Sequence, residues 1–311
     1  MKITVVGAGN VGATCANAIA EKELCSQVVL LDVVKGTAEG KALDIAEMAP
    51  LALFDTRTIG VTNDFEATAN SKVVVITSGL PRKPGMSRED LLGTNARIVK
   101  EVTENIMKYS PDAIIIVVSN PLDAMAYCAY KTANISPNRV IGMAGLLDTA
   151  RYRTFLADEL DCSVKDIQAI ILGGHGDDMV PLVDYTTVSG VPITQLVEND
   201  RLQEIIARTR VGGGELVNLM GRSAWYAPGF AAARMVEAIV RNQKRYFPCC
   251  AYLQGEYGLN DMYFGVPVKL GKDGVENILE IKLNDAEKAM VEKSANSVKN
   301  TLATLKGLNI F

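Results

Sequence analysis

Two patterns of hydrophobic residues alternate along the first half of the chain. Continuous apolar, β-branched runs fall at 2–6, 28–31, 73–77, 113–118 and 140–143. They lack polar alternation, as strands covered on both faces do. Between them, apolar residues recur at helical spacing: Val11, Cys15, Ala18 and Ile19 after Gly9, and Leu91, Leu92, Ile98, Val99, Val102 and Ile106 within 88–109. Strand–helix alternation predicts an α/β first half, a doubly wound parallel sheet with helical crossovers.

From about residue 147 the pattern changes. A helical stretch at 147–160 leads to a strand at Ile167–Leu172, then strand-like segments at 180–188 with Ser189-Gly190 as a turn. Helices are expected at about 200–221 and 228–243, short strands with Gly/Pro punctuation across 246–282, and a long charged helix at 284–306. This half reads as α+β, with the division at residues 1–144 and 145–311. Gly212-Gly213-Gly214 lies inside an expected helix, where each glycine is unfavourable by roughly 1 kcal/mol relative to Ala. The triplet predicts a kink, a break or a close backbone contact.

Composition narrows the function classes. The 311 residues are 48% hydrophobic and 22% charged, with a net charge of −4. No basic field exists to recruit nucleic acid or an anionic membrane surface. No stretch approaches ~18 uninterrupted apolar residues, so no membrane span is expected. The chain enters strand at once, Lys2-Ile3-Thr4-Val5-Val6, and no signal peptide is expected ahead of it. The six cysteines are scattered without a CxxC, which suggests reduced thiols and a cytoplasmic location.

Gly7-Ala8-Gly9-Asn10-Val11-Gly12 matches GxGxxG, follows a strand and opens a helix; Asp32 ends the next strand, twenty residues past Gly12. That context is the dinucleotide-binding fingerprint of a Rossmann domain. Gly7 permits the tight turn, Gly9 lets backbone approach the pyrophosphate, and Gly12 allows close helix–strand packing. Asp32 would accept hydrogen bonds from ribose hydroxyls and repel a 2′-phosphate, which favours NAD over NADP. A flavin fits the glycine fragment alone, but the remaining residues argue against it.

The chemistry is carried by few residues. His175, in Gly173-Gly174-His175-Gly176, is the chain's single histidine and follows an apolar strand. With an ordinary pKa near 6.5 it is a natural proton carrier at neutral pH. Asp148 and Arg151 share a helix face at i, i+3, where an N-cap and a solvated arginine would be equally ordinary. The Gly/Pro-rich loop 79–88 carries Arg82 and Arg88, six residues apart, and so suits a small molecule with two negative ends. Without a second histidine or metal-ligand cysteine spacing, no metal is expected.

GAGNVG, Asp32, PRKPGMSR at 81–88, Ser119-Asn120-Pro121, LDTAR at 147–151 and GGHG at 173–176 occur in one order. Together they resemble the NAD-dependent lactate/malate dehydrogenase family, in its lactate-dehydrogenase-like malate branch. The resemblance implies a Rossmann domain followed by an α+β catalytic domain, with His175 as general acid/base and Asp148 as its partner. It implies that Arg151 grips the C1 carboxylate, that Asn120 hydrogen-bonds the substrate, and that Arg88 polarises the reacting carbonyl. Cofactor contacts are implied at Gly7, Ala8, Gly9, Asn10, Val11, Gly12, Asp32, Thr77, Gly79, Asn95, Val118 and Asn120. Lactate enzymes of the family carry Gln where this chain has Arg82, so malate and oxaloacetate are the expected substrates. A lactate or other 2-hydroxyacid enzyme, or a non-catalytic NAD-binding protein, would not need this full set of arginines. A homodimer or homotetramer is also implied, with the Ala-rich helices at 35–49 and 229–240 as candidate contacts.

Overall fold

A computed structural model describes residues 1–80 and 88–311, Arg88 by its backbone alone. Arg82 therefore lies outside the described residues, as does the side chain of Arg88. In chain order the first half comprises β1 (Lys2–Val6), α1 (Asn10–Glu21), β2 (Gln27–Asp32), α2 (Thr37–Ala52), β3 (Arg57–Thr62), β4 (Ser71–Ile76), α3 (Arg88–Tyr109), β5 (Ile114–Val117), α4 (Leu122–Ala133) and β6 (Val140–Gly142). The second half comprises α5 (Gly145–Leu160), β7 (Ile167–Gln168), β8 (Ile171–Leu172), β9 (Val180–Pro181), β10 (Thr187–Val188), β11 (Val191–Pro192), α6 (Asn199–Met220), α7 (Tyr226–Val240), β12 (Arg245–Gln254), β13 (Asn260–Gly271), β14 (Gly274–Ile278) and α8 (Asp285–Gly307).

The parallel strands stand in the order β3-β2-β1-β4-β5-β6. This is the doubly wound arrangement in which the chain reverses direction of winding between β1 and β4. The crevice outside the carboxyl ends of those two strands is where such folds take ligands. Continuous apolar runs explain the burial: Val73, Val74, Val75 and Ile76 of β4 are all without exposure.

The sheet does not stop at the expected domain division. β12, β13 and β14 continue it antiparallel beyond β6, making nine strands among the described residues. The seam is narrow, with Cys250 opposite Gly142. A side chain at Gly142 would place its Cβ 2.7 Å from that of Cys250, so glycine is required there. One apolar core runs through both halves, and a second lies where Tyr152, Leu156, Ile205 and Ile206 of α5 and α6 meet.

Several expectations need correction. The strand read at Ile167–Leu172 is two short strands in separate sheets, β7 pairing with β10 and β8 with β9. Residues 180–188 likewise break around a turn of 3-10 helix at Val183–Tyr185. The punctuated stretch 246–282 forms two long strands and a shorter one rather than many short ones. α6 runs unbroken through Gly212-Gly213-Gly214, so the triplet causes no break. Ala38, Ala42 and Ile45 of α2 are buried within this chain, while the outward side of the helix carries Leu43.

Candidate active site

The glycine loop forms as its spacing requires. Gly7 takes φ +103°, a left-handed conformation suited to glycine, and Thr77 Oγ1 donates to its carbonyl at 2.9 Å. A Cβ on Gly12 would lie 1.8 Å from that same carbonyl, so α1 can approach the turn only with glycine there. A Cβ on Gly9 would meet no protein atom within 4 Å, leaving space for a ligand's phosphates. No side chain caps α1. Its first N–H groups, at Asn10 and Val11, therefore remain for an anion, with the helix dipole adding positive potential.

Asp32 closes this cradle. Its Oδ2 accepts the Ala8 N–H at 2.6 Å and its Oδ1 accepts the Val34 N–H at 2.9 Å. These bonds orient the carboxylate and leave acceptor capacity for ribose hydroxyls. A cavity lined by Gly7, Gly9, Asp32, Thr77 and Gly79 opens beside it. The residues present thus fit a dinucleotide.

The β4 end continues this wall through Ser78 and Leu80, whereas Val118 and Asn120 follow β5 outside the residues that line it. Val118 bonds through its N–H to Ile76 O at 2.8 Å, and its partly buried side chain packs on the core. Asn95 of α3 is 1% exposed, and its amide is spent on backbone. Nδ2 donates to Asn120 O at 2.7 Å and to Leu80 O at 3.2 Å, while Oδ1 accepts from Leu80 N at 2.8 Å. A side chain so engaged sets where Gly79-Leu80 and Asn120 sit. The Asn120-Pro121 peptide bond is cis.

Sequence spacing alone does not bring Asp148 to His175; the structure does. His175 Nδ1 lies 2.9 Å from Asp148 Oδ2, with Asp148 buried and the imidazole partly open. The adjacent Asp148 carboxylate holds the His175 pKa above the ordinary imidazole value, against burial and against Arg151, which oppose protonation. With Nδ1 engaged, Nε2 is the nitrogen available to a substrate. Arg151 Nη1 lies 3.4 Å from Asp148 Oδ1 and 3.4 Å from Thr209 O. Gly212 makes room for it: a Cβ there would sit 2.4 Å from Arg151 Cδ. The close contact at the glycine triplet is therefore with the Arg151 side chain of the neighbouring helix.

The chain also places Asp123 of α4 at this centre, a residue that the sequence reading did not single out. Its Oδ2 accepts the His175 backbone N–H at 3.0 Å, and its Oδ1 accepts the Cys250 thiol at 3.1 Å. Its position three residues after Asn120 was the signal available. Among the described residues, no group of three or more His, Cys, Asp and Glu side chains could hold a metal, and no helix is long and apolar enough to cross a membrane.

Comparisons with known proteins agree on one family. Residues 1–142 match the model of the lactate/malate dehydrogenase NAD binding domain, and residues 146–308 that of the lactate/malate dehydrogenase alpha/beta C-terminal domain. A malate dehydrogenase of Cytophaga hutchinsonii is 64% identical over 308 residues, covering 99% of each chain. The solved malate dehydrogenase of Salinibacter ruber superposes with a TM-score of 0.96 at 53% identity, again over 99% of each chain. A Cryptosporidium parvum lactate dehydrogenase, solved with lactic acid and nicotinamide adenine dinucleotide, superposes with a TM-score of 0.94 at 37% identity over 98% of each chain.

Proposed function

We propose, since this chain belongs to the lactate/malate dehydrogenase family, that it catalyses the reversible oxidation of (S)-malate by NAD⁺ to oxaloacetate, NADH and a proton. The observation that carries the residue roles is the 2.9 Å pairing of His175 with buried Asp148, with Arg151 on the same carboxylate. The nicotinamide, when bound, supplies the acceptor or donor of the C2 hydride. The chain's own residues supply the rest. In malate oxidation, His175 Nε2 accepts the hydroxyl proton, and Asp148 stabilises the imidazolium through Nδ1. In oxaloacetate reduction the same imidazolium returns the proton to the C2 oxygen.

Arg151 presents a planar fork to the C1 carboxylate. Asn120 hydrogen-bonds the C2 oxygen, and Arg88 polarises the carbonyl. Arg82 pairs with the second carboxylate. Oxaloacetate neutralises that arginine; pyruvate offers only a methyl group. Stranding a buried charge costs about 3–5 kcal/mol, equivalent to roughly two to four powers of ten in specificity. Two carboxylate clamps fix C2 relative to the cofactor and remove orientational entropy from the chemical step.

We further divide the chain into an NAD-binding region, 1–144, and a catalytic region, 145–311. A cytoplasmic location accords with six free cysteines. A homodimer or homotetramer accords with large exposed apolar side chains at Leu43, Leu51 and Leu53 and at Leu219, Tyr226 and Phe230. Light scattering of the purified protein tests the assembly.

The reading is tested by following NADH consumption with oxaloacetate and pyruvate in parallel. A kcat/KM preference for oxaloacetate of about 100-fold or more is expected, and Arg82→Gln should shift it toward pyruvate. Comparable use of both substrates by the parent protein would overturn the reading of Arg82.

A further inference from the structure

Asp123 is a buried carboxylate beside His175 to which the reaction above gives no part. It lies in the first turn of α4 and is 8% exposed. Both of its oxygens are occupied, one by the His175 peptide N–H and one by the Cys250 thiol. Cys250 is without exposure and sits at the β6–β12 seam, admitted by the missing side chain of Gly142. The preceding peptide N–H, that of Gly174, is bound by Ser294 Oγ of α8 at 3.0 Å. Consecutive N–H groups of the histidine loop are thus held by side chains from separate elements.

We propose that Asp123 is a positioning residue for His175, gripping its backbone and setting a second negative charge beside its imidazole, with Cys250 as the donor that holds the carboxylate in place. The inference rests on His175 being the proton carrier. A ring fixed only through Nδ1 could still swing with its backbone. Binding the N–H of the same residue fixes Cα, so that both ends of the side chain are set and Nε2 has one direction.

The electrostatics act in the same sense. Asp123 reinforces the effect of Asp148 in favouring the imidazolium. Burial pushes the Asp123 carboxyl pKa up, and its bonds from the Cys250 thiol and the His175 N–H oppose that rise. Removing the thiol would leave Oδ1 buried without a donor, so Asp123 would take up a proton more readily and its field on His175 would weaken. Other charges around His175 are otherwise engaged or exposed. Arg151 of α5 contacts Asp148. Asp178 pairs with Lys293 of α8 at 2.8 Å, and Arg210 of α6 donates to Met179 O at 3.2 Å. Asp177 is exposed.

The test is the pH dependence of kcat for oxaloacetate reduction by the full-length protein, with NADH binding measured in parallel for Asp123→Asn, Cys250→Ala and Cys250→Ser. Reduction needs the imidazolium, so activity falls as pH rises through the His175 pKa, and losing a neighbouring negative charge moves that fall to lower pH. Asp123→Asn should lower kcat by about 10–100-fold, move the fall to lower pH and leave NADH binding intact. Cys250→Ala should move it the same way by less. Cys250→Ser, whose hydroxyl can donate in place of the thiol, should keep the parent profile. If Asp123→Asn does not fold, the Cys250 pair decides. A lowered kcat with an unmoved profile in Asp123→Asn, or identical profiles for Cys250→Ala and Cys250→Ser, would overturn the proposal. Failure of the underlying reading looks different: His175→Asn would keep its turnover.

Discussion

The cofactor cradle and the proton-transfer centre that we propose are built by opposite strategies. The cradle is local: Gly7, Gly9 and Gly12 lie in one strand–turn–helix, and Asp32 ends the adjacent strand, 24 residues from the Ala8 N–H it accepts. It works through backbone N–H groups and a helix dipole, so its chemistry is set once the turn forms. The proton-transfer centre is long-range. His175 meets Asp148 across 27 residues and Asp123 across 52, and Asp123 meets Cys250 across 127. It works through side chains that are aimed by other side chains. Binding and catalysis should therefore be separable by mutation.

The largest expected effect tests that separation directly. His175→Asn should lower kcat by about 10²–10⁴-fold while NADH still binds, as read by fluorescence titration. Gly12→Val should do the reverse, because its Cβ would lie 1.8 Å from the Gly7 carbonyl and the turn must open. If each variant lost both properties, the two regions would be one unit and the contrast would fail.

Asp148→Asn comes next, with an expected loss of about 100-fold in kcat measured across pH. The Asp148 carboxylate is the largest cause of the raised His175 pKa, so its removal lowers that pKa. Oxaloacetate reduction, which needs the proton, should then fail at a lower pH. Malate oxidation, which needs the free base, should have its acidic limit moved to lower pH as well. An unmoved profile would separate Asp148 from the electrostatics of the site.

The glycine triplet gives the finest resolution. Gly212→Ala should raise the KM for oxaloacetate by about tenfold, since the new methyl would displace Arg151. A Cβ on Gly213 meets no protein atom within 4 Å. Gly213→Ala should therefore leave the KM alone and stabilise α6 by about 1 kcal/mol, seen as a higher Tm. Equal behaviour of the two variants would remove Gly212 from the substrate site.

These strategies also explain what could be read from the chain. The parallel strands and the glycine loop were legible because both are local patterns. β3 was not, since Arg57–Thr62 has no apolar run and remains half-exposed at the sheet edge. The stretch Ile167–Leu172 looked like one strand because every residue but Gln168 and Ala169 is large and aliphatic; pairing with different partners divides it. His175, Asp148 and Arg151 were identifiable one at a time, but their meeting depends on α5 packing against β8, which leads into the histidine loop. Asp123 offered only its place three residues after Asn120, and Cys250 offered no spacing at all, because β12 brings the thiol to Asp123 from 127 residues away.

The seam at Gly142 and Cys250 bears on how such an enzyme can be recombined. A fragment ending at residue 144 would present β6, where Val140 and Ile141 are without exposure, as a bare sheet edge. Bare edges of this kind invite pairing with other chains. Exchanging second halves between relatives would face the same difficulty at the joint, where a larger residue at 142 would collide with Cys250. Chimaeras that move residues 142 and 250 together, as a matched pair, should fold more readily than those that cut between them.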